Sequence, residues 1–314
     1  MKVAITGISS FLASEIIPLL EEDGNITDIL GIDIVKPNIE SSKIIFIERD
    51  VRDPQLEEDI QGTDAIIHLA FIIRPIKSQK EIYSINIDGS KNVFDCAVRA
   101  GIKKVIHASS AAAYGAFPDN PIPLTEAFPI RKMKKKFYYH DTKYLVEKYI
   151  DELEKEHPEV IFTRIRPHIF LGKDVNNVLR SFFKGNNFYG IYSDNLWQFV
   201  HVKDVAQAFY LALIKDTPGV FNIGGDNPLT LREIGKNLNL KVKNLPYWLC
   251  IGLLTIVQKL RILRKDFAGW IRISRYPMIM DSSRAKEILG WIPKYDTMAT
   301  IKMFYNHLKE MGVL

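Results

Sequence analysis

The fold of this chain is decided near its start, by the stretch Lys2-Val3-Ala4-Ile5-Thr6-Gly7-Ile8-Ser9-Ser10-Phe11-Leu12-Ala13. Residues 2–6 are short and mostly apolar, and they predict a strand. Residues 11–22 predict a helix. A turn with one glycine, Gly7, joins the two. The chain therefore opens with a strand, a tight turn and a helix, which is how the units of a parallel sheet begin.

The same alternation continues along the chain. Further strands are predicted at 29–35, 44–48, 65–70, 104–109 and 160–166, and helices at 56–60, 82–100 and 138–157. The strands show no in–out alternation, as expected when both faces of a sheet are covered. Residues 199–202 and 219–223 are expected to return to the sheet late in the chain. This order indicates an α/β fold, a doubly wound parallel sheet with helices on both faces.

The overall composition excludes several classes of protein. Of the 314 residues 47% are hydrophobic, which excludes a disordered chain, and the net charge of +5 comes without a basic arm, so we expect no nucleic-acid partner. Cys96 and Cys250 are too few for a disulfide framework and match no metal-ligand spacing. They indicate a cytoplasmic location and no metal. The longest apolar run, 247–257, is shorter than the roughly 20 residues of a membrane-spanning helix.

The turn after the first strand has the spacing of a phosphate-binding turn. Such turns carry three glycines, which allow the tight turn, the close approach of a pyrophosphate, and helix–strand packing. Gly7 keeps the first place, whereas Ser10 and Ala13 hold the other two. The methyl group of Ala13 can still pack on the strand, and the Ser10 hydroxyl can donate to a phosphate oxygen. Asp33 ends the second predicted strand, where a carboxylate accepts hydrogen bonds from an adenosine ribose and repels a 2′-phosphate, so NAD is the expected cofactor.

Several later segments resemble one family. Asp50-Val51-Arg52-Asp53 resembles the adenine-contacting motif of the extended short-chain dehydrogenases/reductases, which include sugar-nucleotide epimerases and dehydratases. Residues 64–70 resemble that family's fourth strand and the turn under its cofactor. Asn86, Gly89 and Asn92 match its Asn-x-x-Gly-x-x-Asn helix. Residues 221–224 and 281–293 match its late motifs, so the resemblance covers nearly the whole chain.

The resemblance implies a domain organisation and a cofactor site. It implies a Rossmann-type NAD-binding domain at 1–172, whose sheet is completed by about 199–225, and a smaller, mostly helical substrate lobe at 173–198 and 226–314. It also implies a homodimer formed through the helices 82–100 and 138–157. The residues expected to contact NAD are Gly7, Ser9, Ser10, Phe11, Leu12, Asp33, Asp50, Val51, Leu69, Ala70, Phe71, Asn86, Ser109, Tyr139, Lys143 and His168.

A catalytic pair is predicted in Tyr139-His140-Asp141-Thr142-Lys143. A tyrosine and a lysine four residues apart share one helix face, where the ammonium lowers the pKa of the phenol and also reaches the cofactor ribose. By resemblance, Tyr139 is the general acid/base, Lys143 is its partner, and Ser110 bonds the reacting oxygen. Tyr138 is a neighbouring competitor, but it has no lysine four residues on.

The reaction subclass is narrowed by two departures from the family pattern. Ala111 and Ala112 follow the catalytic serine, where dehydratases often carry Asp-Glu, so dehydration is disfavoured. Many sugar-nucleotide enzymes place an arginine just before the segment that matches 199–205, where this chain has Leu196-Trp197-Gln198. The substrate contacts expected are Ser110, Tyr139, Arg180 and Gln198.

Three functional hypotheses therefore remain open, with a small molecule as the substrate of the first two. The first is an NAD-dependent sugar-nucleotide epimerase, with a nucleotide sugar as substrate. The alternative is an NAD(P)-dependent dehydrogenase or reductase of an apolar alcohol or ketone, similar to hydroxysteroid dehydrogenases. The third is a protein that binds the dinucleotide without turnover, against which the intact Tyr139–Lys143 pair argues.

The apolar segment 245–263 also has three interpretations. It can be a packed helix of the small lobe, an apolar wall of the substrate site, or a weak contact with a membrane surface through 246–265. The third interpretation draws on the basic residues that follow the apolar run, Lys259, Arg261, Arg264 and Lys265, because cations beside an apolar helix favour anionic lipid.

Overall fold

The computed structural model describes residues 1–76, 78–173, 178–259 and 267–314. Its strands are β1 (Lys2–Thr6), β2 (Asp28–Asp33), β3 (Ile44–Glu48), β4 (Ala65–His68), β5 (Lys104–Ala108), β6 (Ile161–Pro167), β7 (Ile169–Leu171), β8 (Phe183–Lys184), β9 (Asn187–Gly190), β10 (Leu196–Trp197), β11 (Phe199–His201), β12 (Gly219–Ile223), β13 (Leu229–Thr230) and β14 (Lys241–Asn244).

The α-helices alternate with the early strands and dominate the later part of the chain. They are α1 (Phe11–Glu22), α2 (Leu56–Asp59), α3 (Gln79–Tyr83), α4 (Ser90–Arg99), α5 (Tyr138–Glu156), α6 (Val202–Ile214), α7 (Leu231–Asn237), α8 (Tyr247–Lys259), α9 (Phe267–Ile273) and α10 (Thr297–Glu310). Short 3₁₀ or π segments lie at Ser84–Gly89, Ala111–Tyr114, Val178–Phe182 and Ala285–Leu289. Within the described ranges, no helix has the length and apolarity that crossing a bilayer requires.

Seven strands form one parallel sheet in the order β3-β2-β1-β4-β5-β6-β12. The direction of winding reverses between β1 and β4, and in doubly wound sheets the ligand crevice lies at the carboxyl ends of the strands at that point. The predicted fold class is confirmed. The loops after β1, β4 and β5 therefore meet where a ligand is expected.

Helices cover both faces of this sheet. On one face α1 packs on α6, with Ile16, Ile17 and Phe209 fully buried between them and the strands. On the other face α4 and α5 bury Phe94 and Ile150. Fully burying one such side chain contributes roughly 1.5–3 kcal/mol. These two layers fix the carboxyl ends of the strands.

The predicted helix 82–100 is divided in the structure. α3 ends at Tyr83, a π-helical segment covers Ser84–Gly89, and α4 begins at Ser90. Within the π segment Asn86 is fully buried, and its amide exchanges two hydrogen bonds with the backbone of Ile72, at 2.7 and 3.1 Å. A π segment accommodates one extra residue in a turn, and here it accompanies the amide that holds the loop after β4.

The two late strands that were predicted to join the main sheet, β11 and β12, lie in different sheets. β12 completes the sheet beside β6, with Ile223 opposite Pro167, as predicted. β11 was expected in the same sheet, but it pairs in parallel with β7 in a separate two-stranded sheet. The reason is that both edges of β6 are already occupied, by β5 and β12. The chain turns at His168 into β7, whose partner is then β11.

A separate apolar cluster draws on both segments that were predicted to form the substrate lobe. Phe183 and Phe188 lie in 173–198, and Leu231 and Phe304 lie in 226–314. The rings of Phe183 and Phe188 stack with their centroids 4.5 Å apart. Phe199 of β11 belongs to the same cluster, and the division into two domains stays a prediction.

Candidate active site

The turn between β1 and α1 brings the chain against the end of β4. Gly7 has a φ of 72°, and a Cβ on it would lie 2.6 Å from the backbone nitrogen of Ala70. Only glycine satisfies both this dihedral angle and this close approach. The turn therefore presents Ser9, Ser10 and the first residues of α1, Phe11 and Leu12, at the reversal of strand order. The free N–H groups in the first turn of a helix attract anions.

Ser10 and Asp33 fix this turn. The Ser10 hydroxyl accepts a hydrogen bond from the backbone nitrogen of Ala13 at 3.3 Å and so caps α1. This bond uses the oxygen as an acceptor and leaves the proton for a second partner, so the phosphate contact stays a prediction. The Asp33 carboxylate accepts hydrogen bonds from the backbone nitrogens of Ser9 at 3.0 Å and Ile34 at 2.8 Å. An acceptor for ribose hydroxyls is thus held beside the turn, and together these features fit a dinucleotide.

The segment that resembles the adenine-contacting motif is anchored to α4. The Asn92 amide donates to the backbone carbonyl of Val51 at 2.9 Å. The Val51 side chain is buried, and a Cβ on Gly89 would lie 2.6 Å from it. Asp50 pairs with Arg52 at 2.6 Å, and this hydrogen-bonded ion pair lowers the pKa of Asp50. The predicted contact residues are therefore rigidly placed, although their contact with adenine stays a prediction.

The structure brings Ser110 and Tyr139 together. Ser110 ends the loop after β5 and caps the short Ala111–Tyr114 segment by accepting from the backbone nitrogen of Ala112 at 3.1 Å. Tyr139 lies in the first turn of α5 and is only 9% exposed. Burial raises the pKa of the Tyr139 phenol, and the nearby Ser110 hydroxyl acts in the opposite direction. Tyr138 points elsewhere: it is fully buried and donates to the backbone carbonyl of Ile73.

Lys143 stands one helical turn after Tyr139 and is almost completely buried. Its ammonium donates to the carbonyl of Ala108, the last residue of β5, at 2.5 Å, and lies 3.3 Å from the centroid of the Phe71 ring. Burial lowers the pKa of Lys143 to about 7, with Glu147 acting in the opposite direction. The loops after β4 and β5 therefore enclose this ammonium.

A buried charge network beside the loop that follows β5 was not anticipated from the sequence. Glu147, four residues after Lys143, is fully buried and forms two hydrogen bonds with the guanidinium of Arg166, one of them 2.7 Å long. It also accepts a hydrogen bond from Ser109, the residue before Ser110, for which a catalytic role is predicted. The Arg166 guanidinium lies 4.5 Å from the centroid of the Tyr114 ring. In the sequence, only the spacing of four residues between Lys143 and Glu147 indicated that Glu147 lies on the same face of α5.

An aromatic wall around Tyr139 was also missed. The Trp270 ring lies 5.1 Å from the Tyr139 ring, and the rings of Phe71 and Phe137 lie at 6.2 and 6.3 Å. Gly269 allows this arrangement, since a Cβ on it would lie 2.0 Å from the Phe137 ring. The helix α9 thus packs directly against the start of α5. No pattern in the sequence predicts the contact between Trp270 and Tyr139, because Trp270 lies in a short helix far from Tyr139 along the chain.

The remaining predicted contacts occupy different environments. Leu69 is buried, and its backbone nitrogen donates to the carbonyl of Thr6 at 3.0 Å. This hydrogen bond joins the ends of β4 and β1. His168 is buried, and burial lowers the pKa of its imidazole to about 4. Arg180 is half-buried in the Val178–Phe182 segment, and its contact with substrate stays a prediction.

Gln198 has a role that the sequence did not indicate. Its amide nitrogen donates to the carbonyls of Gly225 and Met280 at 3.0 and 3.1 Å, and its oxygen accepts from the nitrogen of Met280 at 2.9 Å. The side chain is 3% exposed. The amide therefore links the backbone at Gly225 to the backbone at Met280, and the contact of Gln198 with substrate stays a prediction.

Comparison with known sequences indicates the family of this chain. The model of the NAD dependent epimerase/dehydratase family matches residues 3–224. A UDP-glucose 4-epimerase of Lactobacillus helveticus is 24% identical, over 95% of this chain and 94% of that protein. An uncharacterized protein of Mycobacterium tuberculosis is 23% identical, over 99% of this chain and 84% of that protein.

Solved structures with the same fold agree with this assignment. A UDP-glucose 4-epimerase of Thermotoga maritima with UDP-glucose has a TM-score of 0.75 and 22% identity, covering 99% of both chains. The enzyme WbmG of Bordetella bronchiseptica with NAD and UDP has a TM-score of 0.74 and 20% identity, covering 99% of this chain and 96% of that one. The family match spans most of the chain, and the chain belongs to the NAD-dependent epimerase/dehydratase family of enzymes, within the extended short-chain dehydrogenases/reductases.

Proposed function

We propose that this enzyme is an epimerase of a nucleotide sugar, and that it acts by hydride transfer at a secondary alcohol with Ser110, Tyr139 and Lys143 as catalytic residues. One arrangement carries the proposal: the buried Lys143 follows the buried Tyr139 by one helical turn, and its ammonium donates to the carbonyl of Ala108, two residues before Ser110. When bound, NAD supplies the hydride acceptor of the reaction.

The three side chains have distinct tasks in this mechanism. Ser110 holds the reacting oxygen, and Tyr139 takes the proton from the substrate hydroxyl and later returns it. Burial raises the pKa of the free phenol, so proton uptake at neutral pH needs a positive charge close by. Lys143, on the same face of α5, supplies that charge in its protonated form, and its pKa of about 7 leaves a substantial part of the molecules protonated near neutral pH. It also holds the ribose of the cofactor.

The comparisons support a nucleotide sugar as the substrate class. The relative from Lactobacillus helveticus and the structure from Thermotoga maritima are both UDP-glucose 4-epimerases. Epimerisation is favoured over dehydration by Ala111 and Ala112, which directly follow Ser110 and are both buried. Neither alanine can donate or accept the proton that eliminating water requires.

The aromatic wall favours a second candidate, a dehydrogenase or reductase of an apolar alcohol or ketone. Trp270, Phe71 and Phe137 surround the Tyr139 ring. Such a wall suits an apolar substrate, since each aromatic ring offers a large apolar surface. The cofactor in this case is exchanged at each turnover.

One experiment separates the two candidates. Purified enzyme with NAD is offered a panel of UDP-hexoses and of hydrophobic secondary alcohols, and both sugar interconversion and NADH release are measured. We expect interconversion of two UDP-hexoses without NADH release. Release of NADH with an apolar alcohol, and no interconversion, would replace the epimerase by the second candidate.

The catalytic assignment has its own test. Tyr139→Phe removes the proton carrier but keeps the aromatic contacts, so we expect at least about a hundredfold loss of turnover, in the range of general acid–base catalysis. NAD binding, measured by calorimetry, should stay close to that of the unchanged enzyme. Tyr138→Phe is the matched control and should keep most of the turnover. Unchanged turnover in Tyr139→Phe would show that another group carries the proton.

Two further expectations concern the assembly and the location of the enzyme. We propose a homodimer formed through the helical regions 82–100 and 138–157 of each subunit, as the resemblance to the family implies. We also propose a cytoplasmic location, because the two cysteines are free and reduced thiols are typical of that compartment.

A further inference from the structure

The helix α8 exposes an apolar face. Trp248 is 74% exposed, Leu253 is 53% exposed and Leu249 is 39% exposed, and they share one side of the helix with Gly252. Positions 248 and 252, and likewise 249 and 253, are four residues apart and therefore neighbours on a helix surface. We call these four residues the α8 face. No charged residue occurs in the sequence between 245 and 257.

The opposite side of α8 is already in contact with the rest of the protein. Leu254 is buried together with Ala268 and Ile271 of α9, and Tyr247 and Cys250 pack against the same cluster. The helix is thus apolar on its inner side and also on its outer side. Packing against α9 explains why the inner side of α8 is apolar. It does not explain why the exposed α8 face is apolar as well.

Cations and aromatic rings lie at the N-terminal end of α8. Lys241 and Lys243 are exposed in β14, which leads into the helix. The Arg275 guanidinium, also on an exposed residue, lies 5.1 Å from the centroid of the Tyr247 ring and 5.2 Å from that of Tyr276. Tyrosine, tryptophan and basic side chains beside a wholly apolar surface are the combination that binds the interface of a bilayer.

We propose that the α8 face docks onto the surface of a bilayer that contains anionic lipid. Trp248 and Leu253 enter the boundary between headgroups and acyl chains, while Lys241, Lys243 and Arg275 contact the phosphates. The charges favour this occupant over a second copy of the chain, because a second copy would bring the same cations together. The basic residues 261, 264 and 265 lie outside the described residues and are not needed for this inference.

Docking at this place has a consequence for the active site. α8 packs on α9, and Trp270 of α9 lies 5.1 Å from the ring of Tyr139. The bilayer surface and the Tyr139 ring are then separated by two packed helices.

Vesicle sedimentation tests the proposal. The enzyme is mixed with vesicles of phosphatidylcholine, with or without phosphatidylglycerol, at low and at high salt. We expect binding to vesicles that contain phosphatidylglycerol, and weaker binding at high salt because screening reduces the attraction of Lys241 and Lys243. Trp248→Glu with Leu253→Glu should weaken binding at least about tenfold, because two apolar contacts become charged. Lys241→Gln with Lys243→Gln should reduce the dependence on phosphatidylglycerol and on salt.

Controls separate docking from misfolding and from self-association. Ile292→Glu is the matched control, because Ile292 is a 72% exposed apolar residue outside α8, and it should leave vesicle binding unchanged. Trp248→Phe keeps an apolar side chain, and it should abolish the blue shift of tryptophan fluorescence that vesicles induce. The proposal is overturned by an unchanged affinity of Trp248→Glu with Leu253→Glu for vesicles. It is also overturned if the wild-type enzyme ignores vesicles while the same double variant changes its oligomeric state.

Discussion

At the scale of single residues, one buried carboxylate, Glu147, holds the loop that follows β5 through a hydrogen bond from Ser109. Burial by itself raises the pKa of Glu147, but the charge and hydrogen bonds of Arg166 outweigh it, so the pKa lies below its ordinary value. The carboxylate stays ionised and accepts a hydrogen bond from Ser109, directly before Ser110, the proposed catalytic serine. An ion pair of this kind contributes little net stability, but losing one partner leaves a buried charge without compensation.

Replacing Glu147 should therefore be costly. We expect Glu147→Ala to lower the free energy of unfolding by about 3–5 kcal/mol, because Arg166 remains buried and unpaired. Glu154→Ala is the matched control on the same helix. Glu154 is 30% exposed, and its partner Arg164 keeps a second carboxylate, Asp151, at 2.5 Å, so a loss of about 1 kcal/mol or less is expected. Urea denaturation measures both, and equal losses would contradict this account.

At the scale of elements, the β1–α1 turn shows how a helix compensates for a missing glycine. Ser10 takes the second glycine place of the phosphate-binding pattern. In the structure its hydroxyl caps α1 through the backbone nitrogen of Ala13. Serine is among the most favourable residues at this position, and glycine is only slightly poorer. The substitution therefore strengthens the helix whose N-terminus faces the expected phosphates.

Two variants of Ser10 test this reading of the turn. Ser10→Ala should lower the free energy of unfolding by about 1 kcal/mol, because the first turn of α1 loses its acceptor. Ser10→Gly restores the familiar glycine and should cost only a few tenths of a kcal/mol. Urea denaturation of both variants gives the comparison. If the glycine variant loses as much stability as the alanine variant, the hydroxyl has a task other than capping.

At the scale of the whole molecule, the buried histidines make stability depend on pH. Burial lowers the pKa of His68 to about 3 and that of His168 to about 4, and it holds the pKa of His107 well below its ordinary value. The ring nitrogens of His68 form hydrogen bonds with Thr6 and Ser90. Both ring nitrogens of His107 lack a hydrogen-bond partner within the described part of the chain. All three are therefore neutral in the folded protein near neutral pH.

Stability should fall as the pH falls from about 6.5 towards about 4. The unfolded chain takes up protons on these histidines near pH 6.5 and the folded chain does not, so acid favours unfolding, by up to about 1.4 kcal/mol per pH unit for each histidine. Free energies of unfolding measured between about pH 7 and about pH 5 give the slope. His107→Leu should make the slope shallower by about one proton. An unchanged slope would mean that His107 is protonated in the folded state.

The parts of this protein that follow from short stretches of sequence could be predicted without a structure. The strand, the turn at Gly7 and the helix α1 depend on neighbouring residues, and the spacing of Tyr139 and Lys143 places them on one face of any helix. The apolar runs of the strands indicated a sheet covered on both sides. Asp33 was predicted because it ends a recognisable strand, and Ser110 because its segment after the next-to-last early strand resembles that of the family.

Only the tertiary structure decided which distant residues meet. Trp270 packs against Tyr139, and Glu147 forms an ion pair with Arg166. The Gln198 amide forms hydrogen bonds with the backbone, and β11 pairs with β7 instead of joining the main sheet. The physical reason is that local patterns follow from backbone geometry over a few residues. Contacts across the chain depend on how whole elements pack and on which sheet edges are already occupied, and no short pattern in the sequence records either.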